Sequence, residues 1–307
     1  METLFVVTGP TAVGKTELTL RIAELLGVPV INADSRQLYR EIPIGTAAPT
    51  SEQQERVRHY FVGTLGLSDY YSASKYENDV LSLLTPPGEL SSMPYALMSG
   101  GSMMYIDSVC DGIDDIPTVD ADTRSMLKQR LEVEGLERLL EELRLLDPDY
   151  YRIVDRKNTR RVVHALEICY MTGRTYTSYR TNKRRERPFK IVKIGLNRNR
   201  EELYHRINLR VEKMVEEGLV EEARKVHPMK GVNALDTVGY REMFDYLEGR
   251  CSLDEAVTRI QGNTRRYCRK QLTWLKRDER IRWFHPDDEQ KVLSFVEEQA
   301  GRGPHSI

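Results

Sequence analysis

The sequence predicts an α/β fold, a parallel sheet flanked by helices, with an all-helical domain inserted into it. Three observations lead there. The apolar run Leu4-Phe5-Val6-Val7 runs into Gly9-Pro10-Thr11-Ala12-Val13-Gly14-Lys15-Thr16 and then into an amphipathic segment, the strand, loop and helix that open a βαβ unit. Short apolar runs ending in turn residues recur near residues 28–33, 95–99 and 189–196. Between the last two, about seventy residues rich in Leu, Glu and Arg carry helical spacing with few β-branched runs.

With 307 residues the chain can form one large domain with an insertion, or two domains, and either buries a substantial core. The 46 Lys+Arg against 47 Asp+Glu give a formal net charge of -1, which excludes a wholly basic nucleic-acid coat protein and leaves local basic clusters to be weighed singly. No apolar run is long enough to cross a bilayer and no early segment has the form of a secretory leader, so a cytoplasmic protein with no membrane partner is expected. Cys110, Cys169, Cys251 and Cys268 lie far apart with no C-x-x-C pair. That spacing points to reduced, mostly buried thiols rather than a zinc knuckle or disulfide framework.

Residues 9–16 spell G-x-x-x-x-G-K-T, a P-loop in its proper context. Gly9 and Gly14 let the loop turn so that successive N–H groups face one concavity, and the following helix presents its positive end to the same anion. Lys15 adds a full charge, and Thr16 is placed to put its hydroxyl on a magnesium ion bridging two phosphates. The bland reading, a glycine-rich turn with a surface lysine, has the flanking strand and helix against it.

Leu18, Ile22 and Leu25 share one face of a helix over residues 17–26, which Gly27 ends. The strand over 28–33 stops at Asp34, and ligands gather at strand carboxyl ends, so Asp34 is expected in the site. An acid there holds magnesium or takes a proton from a hydroxyl in a kinase; in a transferase it takes a proton from another nucleophile. Ser35-Arg36-Gln37-Leu38-Tyr39 follows, a dense set able to hydrogen-bond or stack on a base. Residues 40–90 read as loops with one helix near 73–84. The strand at 95–99 ends in Gly100-Gly101-Ser102, a second strand-to-helix turn in which Ser102 either faces the site or caps the helix.

Asp114-Asp115-Ile116-Pro117 breaks the pattern. Residues 1–115 and 188–307 are assigned to the α/β core with its C-terminal helices, and 116–187 to the insertion. One insertion face is Leu136, Leu139, Leu140 and Leu143; another is Val162, Leu166 and Cys169. The insertion closes on Arg180-Thr181-Asn182-Lys183-Arg184-Arg185-Glu186-Arg187, a solvated loop or a nucleic-acid contact. Farther on, Arg206 and Arg210 share a helix face, where two guanidinium groups could meet one polyphosphate or pair with Glu202 and Glu212. A turn at Asp236-Thr237-Val238-Gly239-Tyr240-Arg241 starts a new helix. In the late helix, Val257, Ile260, Thr264, Cys268, Leu272 and Leu275 form a buried stripe. Arg265, Arg266, Arg269, Lys270, Lys276 and Arg277 flank it, with Tyr267 and Trp274 interleaved, as on a backbone-tracking surface.

The P-loop, residues 34–39, Ile44-Gly45-Thr46-Ala47, Gly100-Gly101-Ser102, Arg161-Val162-Val163-His164-Ala165-Leu166-Glu167, Val238-Gly239-Tyr240-Arg241 and Arg269-Lys270-Gln271-Leu272-Thr273-Trp274-Leu275 together resemble the tRNA dimethylallyltransferase (isopentenyltransferase) family. The P-loop alone is generic; Asp-Ser-x-Gln-x-Tyr with the late Arg-Lys-Gln-x-Thr-Trp is specific. The resemblance implies transfer of a dimethylallyl group from its diphosphate to N6 of an adenosine next to the anticodon. The P-loop would then hold the diphosphate leaving group, and Asp34 would take the amine proton. Lys15, Thr16 with Mg2+, Ser102 and Arg210 complete the implied catalytic set. Implied tRNA contacts are Asp34, Ser35, Arg36, Gln37, Ser102, Arg124, Arg160, Arg161, Val162, Val163, His164, Asp236, Thr237, Val238, Gly239, Tyr240, Arg241, Arg269 and Lys270. The partners implied are the anticodon stem-loop of tRNA and dimethylallyl diphosphate, with the protein a monomer. Ser102 stands where a threonine is usual, His164 where an arginine is common, and Asp155-Arg156-Lys157 where His/Pro-type residues are common. A P-loop kinase of a nucleoside or small alcohol is the alternative from the loop alone, and a non-catalytic RNA-binding nucleotide switch is a third class.

Overall fold

A strand interior to a parallel sheet is apolar on both faces, and β1 (Thr3–Thr8) meets that demand, sending Leu4 and Val6 into one buried cluster and Phe5 and Val7 into another. The computed structural model describes residues 1–181 and 183–301; Asn182 of the basic linker and the last six residues of the tail lie outside the described residues. Beside β1 run β2 (Val30–Asn32), β3 (His59–Tyr60), β4 (Tyr95–Gly100), β5 (Lys190–Leu196) and β6 (Ile281–Phe284). All pair in parallel, in the order β3-β2-β4-β1-β5-β6. The apolar pattern announces β1, β2, β4 and β5. At the edges, β3 has only two residues, and β6 buries only Ile281, so neither leaves a clear trace in the sequence.

Register decides what meets at the carboxyl ends. Thr8 lies opposite Gly100 on one side and Gly195 on the other, while Asn32 lies opposite Ser99. The loops after β1, β2 and β4 therefore emerge together, where open α/β sheets bind ligands.

Helix α1 (Lys15–Leu26) starts at the P-loop and ends on Gly27, whose N–H caps the carbonyls of Ala23 and Glu24. Then come α2 (Pro43–Thr46), α3 (Ser51–Arg56), α4 (Ala73–Leu84) and α5 (Met103–Asp111). Compact unit two spans Asp111–Glu186 and holds α6 (Ala121–Leu146), broken at Gly135, with α7 (Pro148–Ile153), α8 (Thr159–Thr172) and α9 (Tyr176–Tyr179). Its core gathers Leu127, Leu139, Leu143, Tyr150, Val162 and Leu166. Buried Asp147 accepts from the N–H groups of Tyr150 and Thr177 and from the Thr177 hydroxyl, so one carboxylate caps α7 and holds the entry to α9. Unit one, residues 1–110 and those from Arg187 onward, resumes with β5, α10 (Arg200–Glu216), α11 (Leu219–Val226), α12 (Tyr240–Leu247), α13 (Leu253–Leu275), β6 and α14 (Glu289–Gln299). No helix among the described residues is long and apolar enough to cross a membrane.

Candidate active site

Gly14 caps α1 at φ 106°, a conformation open to glycine, and this turn aims the start of α1 at a cleft of about 790 Å³. Thr11, Ala12, Gly14, Lys15 and Thr16 line it; Gly9, Pro10 and Val13 are buried behind the loop. Lys15 Nζ donates to the carbonyls of Gly9 and Pro10, both at 2.9 Å. Burial and the neighbouring Arg210 bring its pKa down from 10.5 to about 8, with Asp34 pulling the other way. Burial likewise lowers the pKa of Arg210, and Asp34 again opposes. One carboxylate and two cations thus feel each other across one cleft, the arrangement a site for a polyanion and a proton acceptor needs.

Three arginines that line the cleft also hold the loop. Arg198 Nε donates to Val13 O at 2.9 Å, Arg206 Nε to Ala12 O at 2.8 Å, and Arg210 Nη1 to the Thr11 hydroxyl at 3.3 Å. Arg198 also pairs with Glu202 and Asp287, so its charge is neutralised in place. Both guanidinium groups expected to meet a polyphosphate line the cleft with Lys15, and Arg206 also braces the loop through the Ala12 carbonyl.

A residue outside the expected set ties the site together. Gln271, buried on α13, accepts from Thr11 N at 2.9 Å and donates to Gly101 O at 2.8 Å, stapling the P-loop to the turn after β4. Its signal was a polar side chain in phase with Cys268 and Leu275 on the buried stripe. Tyr267, one residue before Cys268, also lines the cleft, and burial pushes its phenol up to about 12.

Asp34 lines the same cleft, with Oδ1 accepting from Arg36 N at 3.0 Å. Ser102 does not: its hydroxyl accepts from Ser35 N at 2.8 Å and donates to the Ser35 hydroxyl at 3.1 Å. In this structure the side chain shapes the loop that carries Asp34. Gln37 Nε2 donates to Thr46 O at 3.1 Å and Ala47 O at 2.9 Å, and Arg36 Nη1 to Asn233 O at 3.0 Å. Thr16 lies exposed in the cleft wall, a hard oxygen donor beside Lys15 of the kind magnesium accepts together with phosphate oxygens.

The expected tRNA contacts divide by burial. Arg160, Arg161, Arg241, Arg269 and Lys270 are exposed. Within the insertion, Arg124 approaches Glu167 at 3.9 Å and His164 Nδ1 lies 3.2 Å from the same carboxylate. Asp236 approaches Arg241 at 3.5 Å, and Thr237 and Val238 are half-buried, as is Val163. Val162 and Tyr240 are buried, so their side chains belong to packing and not to a tRNA surface, and Gly239 is buried beside Tyr240. For Val162 the reason is helix phase, since it shares a face with Leu166 and Cys169. Arg269 donates to the Tyr204 hydroxyl at 2.7 Å.

Comparison with known proteins places this geometry. Residues 37–278 match the family model described as IPP transferase. The chain belongs to the IPP transferase family. It is 59% identical over 296 residues to tRNA dimethylallyltransferase 1 of Bacteroides fragilis, spanning 96% of this chain and 98% of that protein. It is 42% identical over 291 residues to the tRNA dimethylallyltransferase of Christiangramia forsetii, spanning 94% and 95%. Of solved structures, the full-length tRNA isopentenylpyrophosphate transferase of Bacillus halodurans matches at TM-score 0.70 and 32% identity, over 98% of this chain and 97% of that one. A eukaryotic dimethylallyltransferase crystallised acting on tRNA shares the fold, at TM-score 0.77 and 20% identity over 100% and 81% of the two chains. Because the family match begins at Gln37, the P-loop and Asp34 rest on their own geometry and on the full-length relatives.

Proposed function

We propose that this IPP transferase moves a dimethylallyl group from dimethylallyl diphosphate to the N6 amine of an adenosine beside the anticodon of tRNA, releasing diphosphate. One observation carries the reading: Asp34 shares a cleft with Lys15 and Arg210, so a proton acceptor and a polyanion seat face the same space. An adenine amine is a weak nucleophile because its lone pair is delocalised into the ring, and a carboxylate that takes its proton offsets that weakness. As N6 bonds to the allylic carbon, the carbon–oxygen bond to diphosphate breaks and the amine proton passes to Asp34. Negative charge grows on the departing diphosphate, where Lys15, Arg210 and the loop amides lie. A magnesium ion held by Thr16 and the diphosphate oxygens would add charge neutralisation there.

The base must leave its stack to reach Asp34, and the loop of residues 34–37, held from several sides, is suited to grip it. The anticodon stem-loop, the donor and a cytoplasmic monomer complete the reading. Labelled dimethylallyl diphosphate incubated with unmodified tRNA tests it: label in RNA is expected. Phosphate transfer from a nucleotide to a small alcohol or nucleoside, with no label in RNA, would instead support a P-loop kinase.

A further inference from the structure

Away from the cleft, α11 carries a buried carboxylate that the chemistry above does not use. Glu222 is 7% exposed. Its Oε2 accepts from Ile44 N and its Oε1 from Gly45 N, each at 2.8 Å, and the Tyr240 hydroxyl donates to Oε1 as well. Tyr240 is fully buried, and it reaches this place because residue 45 is glycine: a Cβ there would lie 2.4 Å from the phenol oxygen. Three donors from segments about 180 and 20 residues away thus converge on one buried carboxyl group and satisfy it there.

What the carboxylate holds is α2, and α2 in turn holds the Asp34 loop. The carbonyls of Thr46 and Ala47 at its end accept from the side-chain amide of Gln37. On the other side, Tyr240 opens α12, whose Glu242 accepts from Gly239 N at 2.8 Å and from Asn263 Nδ2 at 2.6 Å. Arg36 closes the circuit through Asn233 O. Asp34 is anchored to its own strand, but Gln37, at the far end of the same loop, depends on a turn that Glu222 fixes.

We infer that Glu222 is a positioning residue for the acceptor base, acting with Tyr240 and Gly45 through the turn at residues 43–47 to fix Gln37 and, through it, the loop that presents Asp34. This rests on the functional reading above. The P-loop is held by other groups, Gln271, Arg198 and Arg206, so donor binding lies outside the effect.

Glu222→Gln replaces an acceptor oxygen with an amide that faces donors, Tyr240→Phe removes only the phenol bond, and Gly45→Ala drives a methyl into Tyr240. Steady-state transfer, calorimetry with dimethylallyl diphosphate, and amide exchange at Ile44 and Gly45 are measured on each folded variant. Glu222→Gln and Gly45→Ala should raise KM for tRNA and lower kcat, each by about tenfold, and Tyr240→Phe by about threefold, with the donor Kd within about twofold of wild type. Exchange at Ile44 and Gly45 should quicken in the same order. Wild-type tRNA kinetics in all three variants overturns the inference, as does a donor Kd that rises in step with lost turnover, which would mean general loosening. A wild-type protein that puts no label into tRNA overturns the functional reading and this inference with it, an outcome distinct from unaffected variants.

Discussion

The charge on Lys15 is conditional, and that makes donor binding depend on pH in a calculable way. Burial and Arg210 bring its pKa to about 8, against the pull of Asp34. A diphosphate seated in the loop places negative charge beside the amine and restores the protonated form. Between the two values the free protein has lost a proton that the complex retains, so affinity falls as pH rises. If the complex returns to the ordinary 10.5, about one-tenth of free Lys15 is neutral at pH 7 and about nine-tenths at pH 9, and Kd should rise about tenfold between them. Calorimetry of dimethylallyl diphosphate at pH 7, 8 and 9, with fixed salt and magnesium, reads the effect. At pH 9, buffers of different ionisation heat should also reveal uptake of about 0.9 proton on binding. Lys15→Met is the control, since titration of the donor itself appears in both proteins and cancels in the ratio. Arg210 stays protonated in this range, Tyr267, at about 12, stays a neutral phenol, and burial holds the Cys268 thiol up. Identical pH profiles for wild type and Lys15→Met would refute the assignment of the P-loop to this substrate.

Asp34→Asn should keep donor affinity and slow transfer by roughly 10²- to 10⁴-fold, the range for a lost general base; near-normal single-turnover rates would remove Asp34 from the mechanism. Gln271→Leu strands Thr11 N and Gly101 O, and should weaken donor binding by about 1–2 kcal/mol, read by calorimetry. Replacing exposed Arg184, Arg185, Arg269 and Lys270 with Ala should weaken tRNA binding and flatten its dependence of log affinity on log salt by about 0.7–0.9 per lost phosphate contact, with donor binding unchanged. An unaltered slope would make those charges solvated surface. Asp278→Asn takes away the carboxylate that lies 2.6 Å from the buried Lys193 ammonium and should cost about 3–5 kcal/mol in urea melts. Burial raises the Asp278 pKa, but hydrogen bonds from Arg280 and Lys193 outweigh it and hold the group below the carboxylate range. The stability it contributes is therefore present above pH about 4 and lost as pH falls toward the folded value, and Asp278→Asn should lack that acid slope.

The parts of the site legible in the sequence are those made by local chain. β1 with its P-loop, β2 ending at Asp34, and β4 ending at Gly100 each carry their own apolar run and turn residues, and parallel register then brings the ends together. The less legible parts are side chains reaching across long separations: Gln271 to Thr11 over 260 residues, Arg206 to Ala12 over 194, Glu222 to Ile44 over 178. No local pattern names such a partner; at most it marks a polar residue in an apolar phase, as at Gln271. Val162 carried two incompatible readings, a core stripe and a tRNA contact, and its 0% exposure decides for the first. For Tyr240, burial depends on a missing Cβ at Gly45, nearly two hundred residues earlier.

These long reaches also explain how the loop can keep its shape while Lys15 changes partners. Where Lys15 Nζ turns from the carbonyls of Gly9 and Pro10 to a diphosphate, it exchanges neutral acceptors for charged ones, which favours the move. If those bonds alone shaped the loop, binding would also loosen it. Arg206 on Ala12 O and Arg198 on Val13 O hold two later carbonyls of the loop instead, and Gln271 holds Thr11 N. Arg198 is fixed by Glu202 and Asp287, so its grip does not depend on the ligand. The anion seat is therefore organised before the anion arrives, and Lys15, the cation that changes partners, has a depressed pKa that makes it responsive to negative charge.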